Sequence, residues 1–385
     1  MINPFLLASA PPTASLELLR RAFQMGWGGA VIKTVKPDSM LITDVSPRFH
    51  ALKDSSGDVV GFENIELVSK RNEAYWMATI ATLKAEFPDR MLVASLMGSD
   101  KPATWRNLAL RLQEAGADAL ELNFSCPHGM PEKGVGAAIG QNPEIAAEIT
   151  EWVTAVARIP VIVKLTPNVT DIRVVAKAVA AAGADALAAI NTVESITGVD
   201  LESLLPYPMV GGRSAYGGYS GAGIKPIGLK AVSQIARAVE LPIHGSGGIR
   251  TWSDAAEYLA LGADVVQICT EVMVKGFRII DALTDGLAAY LERKDLTVAS
   301  LKGRALPTLG RHEELERSAG ARPGVDASLC TSCGKCVTAC RDGGYQAISF
   351  NDRRIVIDGD RCDGCSLCSH VCPVGAIAMA AVPAV

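Results

Sequence analysis

The stretch that decides the fold is Ala115–Asn123, "AGADALELN", in which a helix ends and a strand begins. Its first four residues recur as "AGAD" at 182–185 and as "LGAD" at 261–264. In each case a glycine ends a segment with helical spacing, and an apolar run of strand length follows. The recurrence predicts a chain that repeats one helix-to-strand unit.

Short apolar runs, separated by segments of helical spacing, extend this pattern over most of the chain. The candidate strands are Phe5–Ala10, Ala30–Thr34, Met91–Leu96, Ala119–Asn123, Val161–Leu165, Ala186–Asn191, Pro242–Gly245 and Val265–Cys269. Helical spacing between them is clearest in Ala103–Ala115, Ile172–Ala182 and Ser253–Leu261. Alternating strands and helices imply a parallel sheet, and eight such units predict an α/β fold of the (β/α)8 TIM-barrel type. The alternative is an open doubly wound sheet, which the strand count and the length disfavour.

Composition excludes several classes of protein. The 385 residues are enough for two domains, and 49% hydrophobic residues indicate a packed chain rather than a disordered one. The net charge is -4 and Lys and Arg are scattered, which argues against nucleic acid or an acidic membrane as partner. The apolar segment Val174–Ile190 contains Lys177 and Asp185, and the N-terminus lacks the basic region of a signal peptide. We therefore expect a cytoplasmic protein.

A second, smaller domain is predicted at the C-terminus, where the alternating pattern stops. Residues 301–325 are polar, charged and interrupted by Gly and Pro, as a linker would be. The residues after them contain an internal repeat, "CTSCGKCVTACRDGGYQAI" followed by "CDGCSLCSHVCPVGAI". We predict a barrel domain at 1–300, a linker at 301–325 and a small α+β domain of the bacterial ferredoxin type at 326–385.

Eight of the ten cysteines lie in this repeat, and their spacing indicates iron–sulfur ligation. Thiolates in a Cys-x2-Cys-x2-Cys-x3-Cys run bind [4Fe–4S] clusters, and the fourth cysteine of each run reaches the other cluster. Zinc is the alternative, but zinc ribbons use paired CxxC units rather than four cysteines in one run. Arg341 stands where the bacterial run has proline. We assign Cys330, Cys333, Cys336 and Cys372 to one cluster, and Cys362, Cys365, Cys368 and Cys340 to the other.

Polar side chains lie where the predicted barrel strands end, which is the active face of such barrels. They are Lys33, Thr34, Asn123, Ser125, Lys164, Asn191, Thr192, Cys269 and Thr270. A "GSGG" turn at 245–248 follows the seventh strand, in the region where barrels bind phosphate. Lysine is rarely buried unless it is paired, and a reduced flavin, with its negative charge near N1 and O2, would pair with both lysines. FMN would also connect one-electron clusters with hydride chemistry.

A dinucleotide site is not evident in the sequence. The "GYSGAG" stretch at 218–223 lies in a loop and does not follow a strand, unlike the GxGxxG of dinucleotide-binding folds. NAD(P)H and FAD would therefore have to bind to a partner chain.

The chain resembles the dihydroorotate dehydrogenase family, and more closely the pyrimidine-binding half of the dihydropyrimidine dehydrogenases. The resemblance covers essentially the whole chain and is carried by "NFSCPHGM", "KLTPNVTDI", "INTV", "YGGYSGAGIKPI" and "CPVGAI". The layout is similar to the catalytic subunit of bacterial NAD-dependent dihydropyrimidine dehydrogenases. It implies an FAD- and NAD(P)H-binding reductase subunit as partner, in a hetero-oligomer with a homodimeric core.

The resemblance also implies the roles of particular residues. FMN contacts are implied at Ala8, Ser9, Lys33, Thr34, Lys164, Gly221, Gly247, Gly248, Cys269 and Thr270. A pyrimidine ring is implied to be held by Asn64, Glu66, Asn123, Ser125, Asn191 and Thr192. Amide and carboxylate groups suit the alternating donors and acceptors of a uracil edge. Without the resemblance, Asn64 and Glu66 would be taken for a solvated loop.

Cys126 follows a strand and precedes a proline, in "ELNFSCPHG" at 121–129. Its position alone fits a buried small hydrophobe equally well, and Cys269, which ends an apolar strand, fits that interpretation better. Reduction of the C5–C6 bond of uracil or thymine needs a hydride, from N5 of FMN, and a proton on the opposite face of the ring. A thiol with a pKa of about 8.5 is protonated at neutral pH and can donate that proton. The resemblance assigns this catalytic role to Cys126. The Gly-rich, polar stretch 127–136 is expected to form a mobile lid, and His128 beside Cys126 is either a proton-relay or orienting group or a plain loop histidine.

The sequence thus predicts a flavoenzyme that interconverts uracil or thymine and the 5,6-dihydropyrimidine, with electrons delivered through two [4Fe–4S] clusters. One alternative is a dihydroorotate dehydrogenase fused to a ferredoxin; the acidic residue of "NIE" at 64–66 disfavours its acidic substrate. The other is a non-catalytic electron-transfer subunit with a degenerate barrel, which the intact Lys33, Lys164, Asn123 and Cys126 disfavour.

Overall fold

The computed structural model describes residues 1–124, 137–317, 320–351 and 354–382. The chain divides into two units, Met1–Thr308 and Leu309–Val385. This division falls inside the predicted linker, and the domain boundaries at 300 and 325 remain predictions. No helix within the described ranges is long and apolar enough to cross a membrane.

In the first unit, eight parallel strands close into a barrel. In chain order they are Phe5–Leu7, Gly29–Val31, Met91–Leu96, Ala119–Asn123, Val161–Leu165, Ala186–Ala189, Ile243–Ser246 and Val265–Ile268. Neighbours in this order pair with each other, and the last strand pairs with the first, with Phe5 opposite Val266. The predicted (β/α)8 barrel is confirmed, and the open doubly wound sheet is wrong.

The repeated "GAD" motif lies at the amino-terminal end of three barrel strands, where it ends a helix and links two neighbouring strands. Gly116, Gly183 and Gly262 have positive φ angles of 100°, 89° and 108°, which end each helix at little steric cost. The aspartate two residues later ties its strand to the preceding one. Asp118, Asp185 and Asp264 accept hydrogen bonds from the backbone N–H groups of Leu92, Val161 and Ile243, at 2.7, 2.8 and 2.9 Å.

Helices cover the outside of the barrel, and their apolar faces form the main core with the outward faces of the strands. The α-helices of this unit are Leu16–Gln24, Glu73–Glu86, Pro102–Glu114, Ala137–Gln141, Pro143–Thr154, Ile172–Ala181, Lys225–Ala236, Trp252–Ala260, Thr270–Lys275, Ile279–Lys294 and Val298–Leu301. Short 3-10 turns lie at Pro11–Thr13, Ala222–Ile224 and Leu306–Thr308. Trp27, Trp76 and Trp105 are fully buried, and each indole N–H donates a hydrogen bond, as a buried indole requires.

The barrel interior is apolar at one end and polar at the other. Along strand Val161–Leu165, Ile162 belongs to a small apolar cluster that is separate from the helix-facing core. Lys164, two residues later, points to the same side because side chains alternate along a strand. Since parallel strands end together, polar residues near their carboxyl ends form one layer under the active face.

The sequence analysis missed a four-stranded antiparallel sheet, which is inserted between barrel strands. In spatial order its strands are Phe49–Lys53, Val59–Asn64, Gly217–Gly221 and Val193–Ser195. A two-stranded pair, Val199–Asp200 with Leu205–Pro206, lies in the chain between Val193–Ser195 and Gly217–Gly221. These strands are short, half-buried or rich in glycine, so they lack the alternating hydrophobic pattern by which a strand is recognised. Pairing with distant segments of the chain stabilises them.

The second unit has the α+β structure expected for the ferredoxin-like module. Its elements are a 3-10 turn at His312–Glu314, strand Gly320–Val325, helix Lys335–Gly343, strands Ile348–Asn351 and Arg354–Ile357, helix Leu367–His370 and strand Ile377–Val382. Residues 320–325 form a strand rather than the predicted end of the linker, because they pair with 377–382.

Candidate active site and cluster pockets

The residues predicted to hold flavin and pyrimidine surround one cavity at the carboxyl ends of the barrel strands. The cavity encloses about 1190 Å³ of empty space, including the part open to solvent. Its lining includes Ala8, Ser9, Lys33, Thr34, Asn64, Glu66, Asn123, Lys164, Asn191, Thr192, Gly221, Gly247, Gly248, Cys269 and Thr270. Ser125, Cys126 and His128 lie outside the described residues.

Lys33 and Glu66 form an ion pair in the wall of this cavity. Nζ of Lys33 donates to Oε2 of Glu66 at 2.8 Å, and both side chains are largely buried. Nε of Arg48 lies 3.9 Å from Oε1 of the same carboxylate. The negative charge of Glu66 is therefore compensated. The sequence argument that "NIE" disfavours an acidic substrate did not include this pairing, because the lysine lies 33 residues away in the chain.

Lys164 also has protein partners. Its Nζ donates to Oε1 of Gln267 at 3.2 Å and lies 3.6 Å from Oε1 of Glu121. The burial of the two lysines thus does not require a flavin to pair with them, contrary to the sequence argument. Two cationic groups that line a cavity still fit an anionic cofactor or substrate.

A ladder of hydroxyl and amide groups crosses the floor of the cavity from the first strand to the fourth. Oγ1 of Thr34 accepts a hydrogen bond from Nδ2 of Asn123 at 3.0 Å. The same hydroxyl shares hydrogen bonds with Oγ of Ser95 at 2.9 Å and Oγ of Ser9 at 3.2 Å. Ser95, which the sequence analysis missed, is fully buried. The ladder fixes the position of Asn123 at the cavity surface.

Asparagines also line the cavity where the inserted sheet and the sixth strand contribute to it. Nδ2 of Asn64 donates to the carbonyl oxygen of Gly218 at 2.9 Å. Oδ1 of Asn191 accepts from the backbone N–H of Thr192 at 2.8 Å. Asn168, which the sequence analysis also missed, donates from Nδ2 to the carbonyl oxygen of Thr192 at 3.2 Å. These hydrogen bonds hold the two cavity asparagines in set orientations.

The glycine-rich end of the cavity is built from loops that pack closely. A Cβ added to Gly248, whose φ is +69°, would lie 2.7 Å from the backbone nitrogen of Lys225. One added to Gly221 would lie 2.5 Å from Cα of Gly61. Only glycine therefore allows this close approach of backbones.

Arg250 brings a positive charge to the same end of the cavity. Its side chain lines the cavity, and Nε donates to Oε2 of the buried Glu271 at 3.1 Å. Lys275 contacts the other oxygen of Glu271 at 2.6 Å. Glu271 thus pairs with two cations, and the backbone N–H of Arg250 donates to Oδ2 of Asp254 at 3.0 Å. The sequence analysis missed Arg250 because nothing local distinguishes it from a surface arginine.

Cys269 lies at the end of the eighth strand, where its half-buried side chain lines the cavity. Burial raises the pKa of this thiol to about 11. Its Sγ lies 3.7 Å from Sδ of Met273, a weak contact. The thiol is therefore protonated at neutral pH, in keeping with a packing role.

In the second unit, each predicted set of four cysteines surrounds a pocket. One pocket is lined by Cys330, Cys333, Cys336 and Cys372, and the other by Cys340, Cys362, Cys365 and Cys368. Within the described ranges, no three His, Cys, Asp or Glu side chains could hold a single metal ion together. Four thiols around each pocket match the four-cysteine ligation of a [4Fe–4S] cluster.

Backbone N–H groups donate hydrogen bonds to some of these sulfurs, which favours the thiolate form that ligates iron. Sγ of Cys340 accepts from the N–H of Ala347 at 3.3 Å, and Sγ of Cys372 accepts from the N–H of Ala376 at 3.2 Å. Hydrogen bonds from backbone N–H groups, first that of Val374, lower the pKa of Cys372. Burial raises the pKa of Cys336 and Cys368, a cost that iron ligation offsets because a coordinated thiol is deprotonated.

The two halves of the cysteine repeat differ in shape where Arg341 replaces proline. The first-run helix, Lys335–Gly343, continues past the fourth cysteine, whereas the second-run helix, Leu367–His370, ends before it. Proline lacks an N–H and clashes with a preceding turn, so Pro373 prevents the same extension. Arg341 thus changes the local turn, while Cys340 before it still lines its pocket.

The first unit and its cavity define a barrel of the oxidoreductase type, and the second unit an iron–sulfur module. A family model described as dihydroorotate dehydrogenase matches residues 1–291, and one described as 4Fe-4S dicluster domain matches residues 324–379. The chain belongs to the dihydroorotate dehydrogenase family of flavoenzymes and carries a 4Fe-4S dicluster domain.

Three known sequences and one solved structure illustrate the relationship. The chain is 40% identical to the NAD-dependent dihydropyrimidine dehydrogenase subunit PreA of Escherichia coli, over 99% of this chain and 93% of that protein. It is 39% identical to the chloroplastic dihydropyrimidine dehydrogenase (NADP(+)) of Arabidopsis thaliana, over 82% and 77% of the two chains. It is 38% identical to the catalytic subunit of dihydroorotate dehydrogenase B (NAD(+)) of Pyrococcus abyssi, over 79% and 95%. The structure of dihydroorotate dehydrogenase from Eimeria tenella in complex with ferulenol matches with a TM-score of 0.66 at 20% identity, over 78% of this chain and 85% of that one, which supports the barrel fold alone.

Proposed function

We propose that this enzyme reduces the C5–C6 double bond of uracil or thymine to the 5,6-dihydropyrimidine, or catalyses the reverse reaction. The observation that carries the proposal is one cavity lined both by two lysines and by Asn64, Asn123 and Asn191. Similarity over 99% of the chain to a dihydropyrimidine dehydrogenase subunit, cluster module included, supports the choice of substrate class.

The cavity lining fits FMN by its chemistry. Lys33 and Lys164 would face the part of the flavin that gains negative charge on reduction, with Ser9 and Thr34 as hydrogen-bond partners. The glycines at 221, 247 and 248, together with Thr270, would face the phosphate, whose negative charge suits the Arg250 guanidinium. Bound FMN would supply the hydride for C6 of the pyrimidine.

The remaining lining groups match a pyrimidine ring. A uracil edge alternates N–H donors with C=O acceptors, and an asparagine amide offers both functions in one plane. Asn64, Asn123, Asn191 and Thr192 would bind this edge, and the Glu66 carboxylate would accept from a ring N–H. Because Asn123 and Asn191 are held by neighbouring groups, they lose little freedom on binding.

The proton for C5 is assigned to Cys126, with Ser125 beside it on the pyrimidine and the stretch 127–136 as a lid. These residues lie outside the described part of the chain, so the assignment rests on the sequence. A thiol on the ring face opposite the hydride donor would complete the addition of two electrons and two protons.

The electrons are proposed to arrive through the two clusters from a partner subunit that binds FAD and NAD(P)H. The dicluster domain supplies one-electron carriers, and the similar Escherichia coli protein is named a subunit of an NAD-dependent enzyme. A hetero-oligomer with a homodimeric core is proposed with it.

Turnover of uracil, thymine and orotate by the purified holoprotein, with reduced viologen as donor, tests this function. We expect uracil or thymine to be reduced at least tenfold faster than orotate. Orotate adds a charged carboxylate at C6, and Lys33, Lys164 and Arg250 of the described cavity lining each already pair with a carboxylate. NADH alone should support no turnover until the reductase partner is added. Preference for orotate, or direct turnover with NADH, would contradict the proposal.

A dihydroorotate dehydrogenase activity is the second candidate, and one observation favours it. Glu66 is neutralised by Lys33, and Arg48 lies nearby, so the wall of the cavity does not repel a carboxylate. The 38% identity to the Pyrococcus abyssi dihydroorotate dehydrogenase subunit covers the barrel as well. The same three-substrate comparison separates the two candidates.

Arg250 should decide whether the site prefers FMN to riboflavin. We expect Arg250→Gln to weaken FMN binding about ten- to hundredfold, as the loss of one hydrogen bond between charged groups, about 1.5–3 kcal/mol, would do. Riboflavin, which lacks the phosphate, should bind as it does to the wild type. Both affinities can be measured by quenching of flavin fluorescence. Lys275→Gln is the matched control, because Lys275 pairs with the same Glu271 but is absent from the cavity lining; equal losses for both flavins in Arg250→Gln would refute the phosphate contact.

A further inference from the structure

A charged and polar layer is sealed inside the barrel beneath Lys164. Glu121 is 0%, Gln267 1%, His244 5% and Lys164 6% exposed. Burying a carboxylate and an ammonium is costly unless each is paired and hydrogen-bonded. Glu121 is the first residue of "ELNFSCPHG", yet the proposed reaction gives it no role. It is absent from the cavity lining, whereas Lys164 and Gln267 line the cavity.

The contacts in this layer form one connected network. Lys164 Nζ donates to Gln267 Oε1 at 3.2 Å, and Gln267 Nε2 donates to Glu121 Oε2 at 2.7 Å. In the described part of the chain no hydrogen bond reaches the other oxygen, Oε1 of Glu121. That oxygen lies 3.6 Å from Lys164 Nζ. Lys164 and Glu121 therefore attract each other directly as opposite charges, but the hydrogen bonds that connect them pass through Gln267.

The network has a single consistent arrangement of protons. An ammonium can only donate, so the amide oxygen of Gln267 must face Lys164. The amide nitrogen then faces both Glu121 and Nδ1 of His244, which lies 3.3 Å away. Nδ1 must accept, so the proton of a neutral His244 is on Nε2. Burial lowers the pKa of His244, in agreement with the neutral form.

We propose that Glu121, bridged by Gln267, is a positioning residue that holds the Lys164 ammonium at the cavity floor and so sets how strongly the site favours reduced over oxidised FMN. The inference rests on the proposed function, because it requires FMN to bind beside Lys164. Glu121 acts through Lys164, since it does not itself reach the cavity. A carboxylate that only filled the barrel would have no such effect on the flavin.

Glu121→Gln tests this role with little change of shape. An ammonium without a counter-charge in a water-poor core is costly, so Lys164 should leave its position. We expect the ratio of reduced to oxidised FMN affinity to fall about tenfold, which corresponds to a midpoint potential about 30 mV more negative for a two-electron couple. Lys164→Gln should shift the potential in the same direction. The double variant should show no more loss than Lys164→Gln alone, because the two residues act as one unit.

Glu63→Gln is the matched control. Glu63 is also 0% exposed, but it accepts hydrogen bonds from Thr197 and lies outside the cavity lining. The midpoint potential of FMN in Glu63→Gln should therefore equal that in the wild type. If Glu121→Gln does not fold, Gln267→Met removes the bridge and should shift the potential in the same direction. An unchanged potential in Glu121→Gln, or additive losses in the double variant, would overturn the inference alone. Failure of the wild type to bind FMN would overturn the proposed function, and this inference with it.

Discussion

Cys126→Ala is expected to lose pyrimidine reduction by about 10²- to 10⁴-fold, the usual contribution of a positioned general acid. The variant should still bind FMN and uracil, because alanine removes only the sulfur and the proposed binding groups lie elsewhere. Cys126→Ser should fall between the two, since a hydroxyl can occupy the same place but is a far weaker acid than a thiol.

The measurement separates the proton step from the electron supply. Reduction of the bound flavin by viologen should remain at the wild-type rate in Cys126→Ala, while transfer to uracil, followed by the loss of uracil absorbance, should slow. Turnover at the wild-type rate would exclude Cys126 as the acid. Slow reduction of the flavin itself would instead indicate a general disturbance of the site.

The barrel could be predicted from the sequence because each helix end and strand start is marked by residues that are close together in the chain. Each "GAD" repeat combines a glycine that ends a helix with an aspartate that ties two strands, so the pattern carries both the helix stop and the strand start. All eight barrel strands overlap their predicted positions. The inserted sheet could not be read in this way, since its strand Val193–Ser195 has three residues and depends on pairing with distant segments.

The sequence predicted many of the residues that line the cavity, but not how they pair with each other. Strand ends meet at one face of a barrel, which is why residues from 8 to 270 that were chosen from the sequence line one cavity. Partners depend on the side-chain directions that the fold creates. Lys33 was predicted for the flavin and Glu66 for the pyrimidine, yet they contact each other at 2.8 Å. Arg250 and Gln267 were missed for the same reason, because their surroundings come from distant parts of the chain.

Paired cysteine variants should reveal that the two runs exchange their fourth ligands. Within helix Lys335–Gly343, Cys336 and Cys340 line different pockets although they are one turn apart. We therefore expect Cys372→Ala to lose the cluster held by the first run, and Cys340→Ala the cluster held by the second. Each single variant should keep about four of eight irons, since each cluster contains four.

Double variants distinguish this arrangement from one in which each run binds its own cluster. Cys372→Ala combined with Cys333→Ala should still keep about four irons, because both changes affect the same cluster. Cys372→Ala combined with Cys365→Ala should keep almost none, because each change removes a different cluster. Iron analysis and electron paramagnetic resonance of the reduced protein provide the count. Thr331→Ala, in the same loop but without a thiol, should keep all eight irons. The reverse pattern in the two double variants would mean that each cysteine run binds its own cluster. The two clusters would then not be linked by a helical turn that carries a ligand of each.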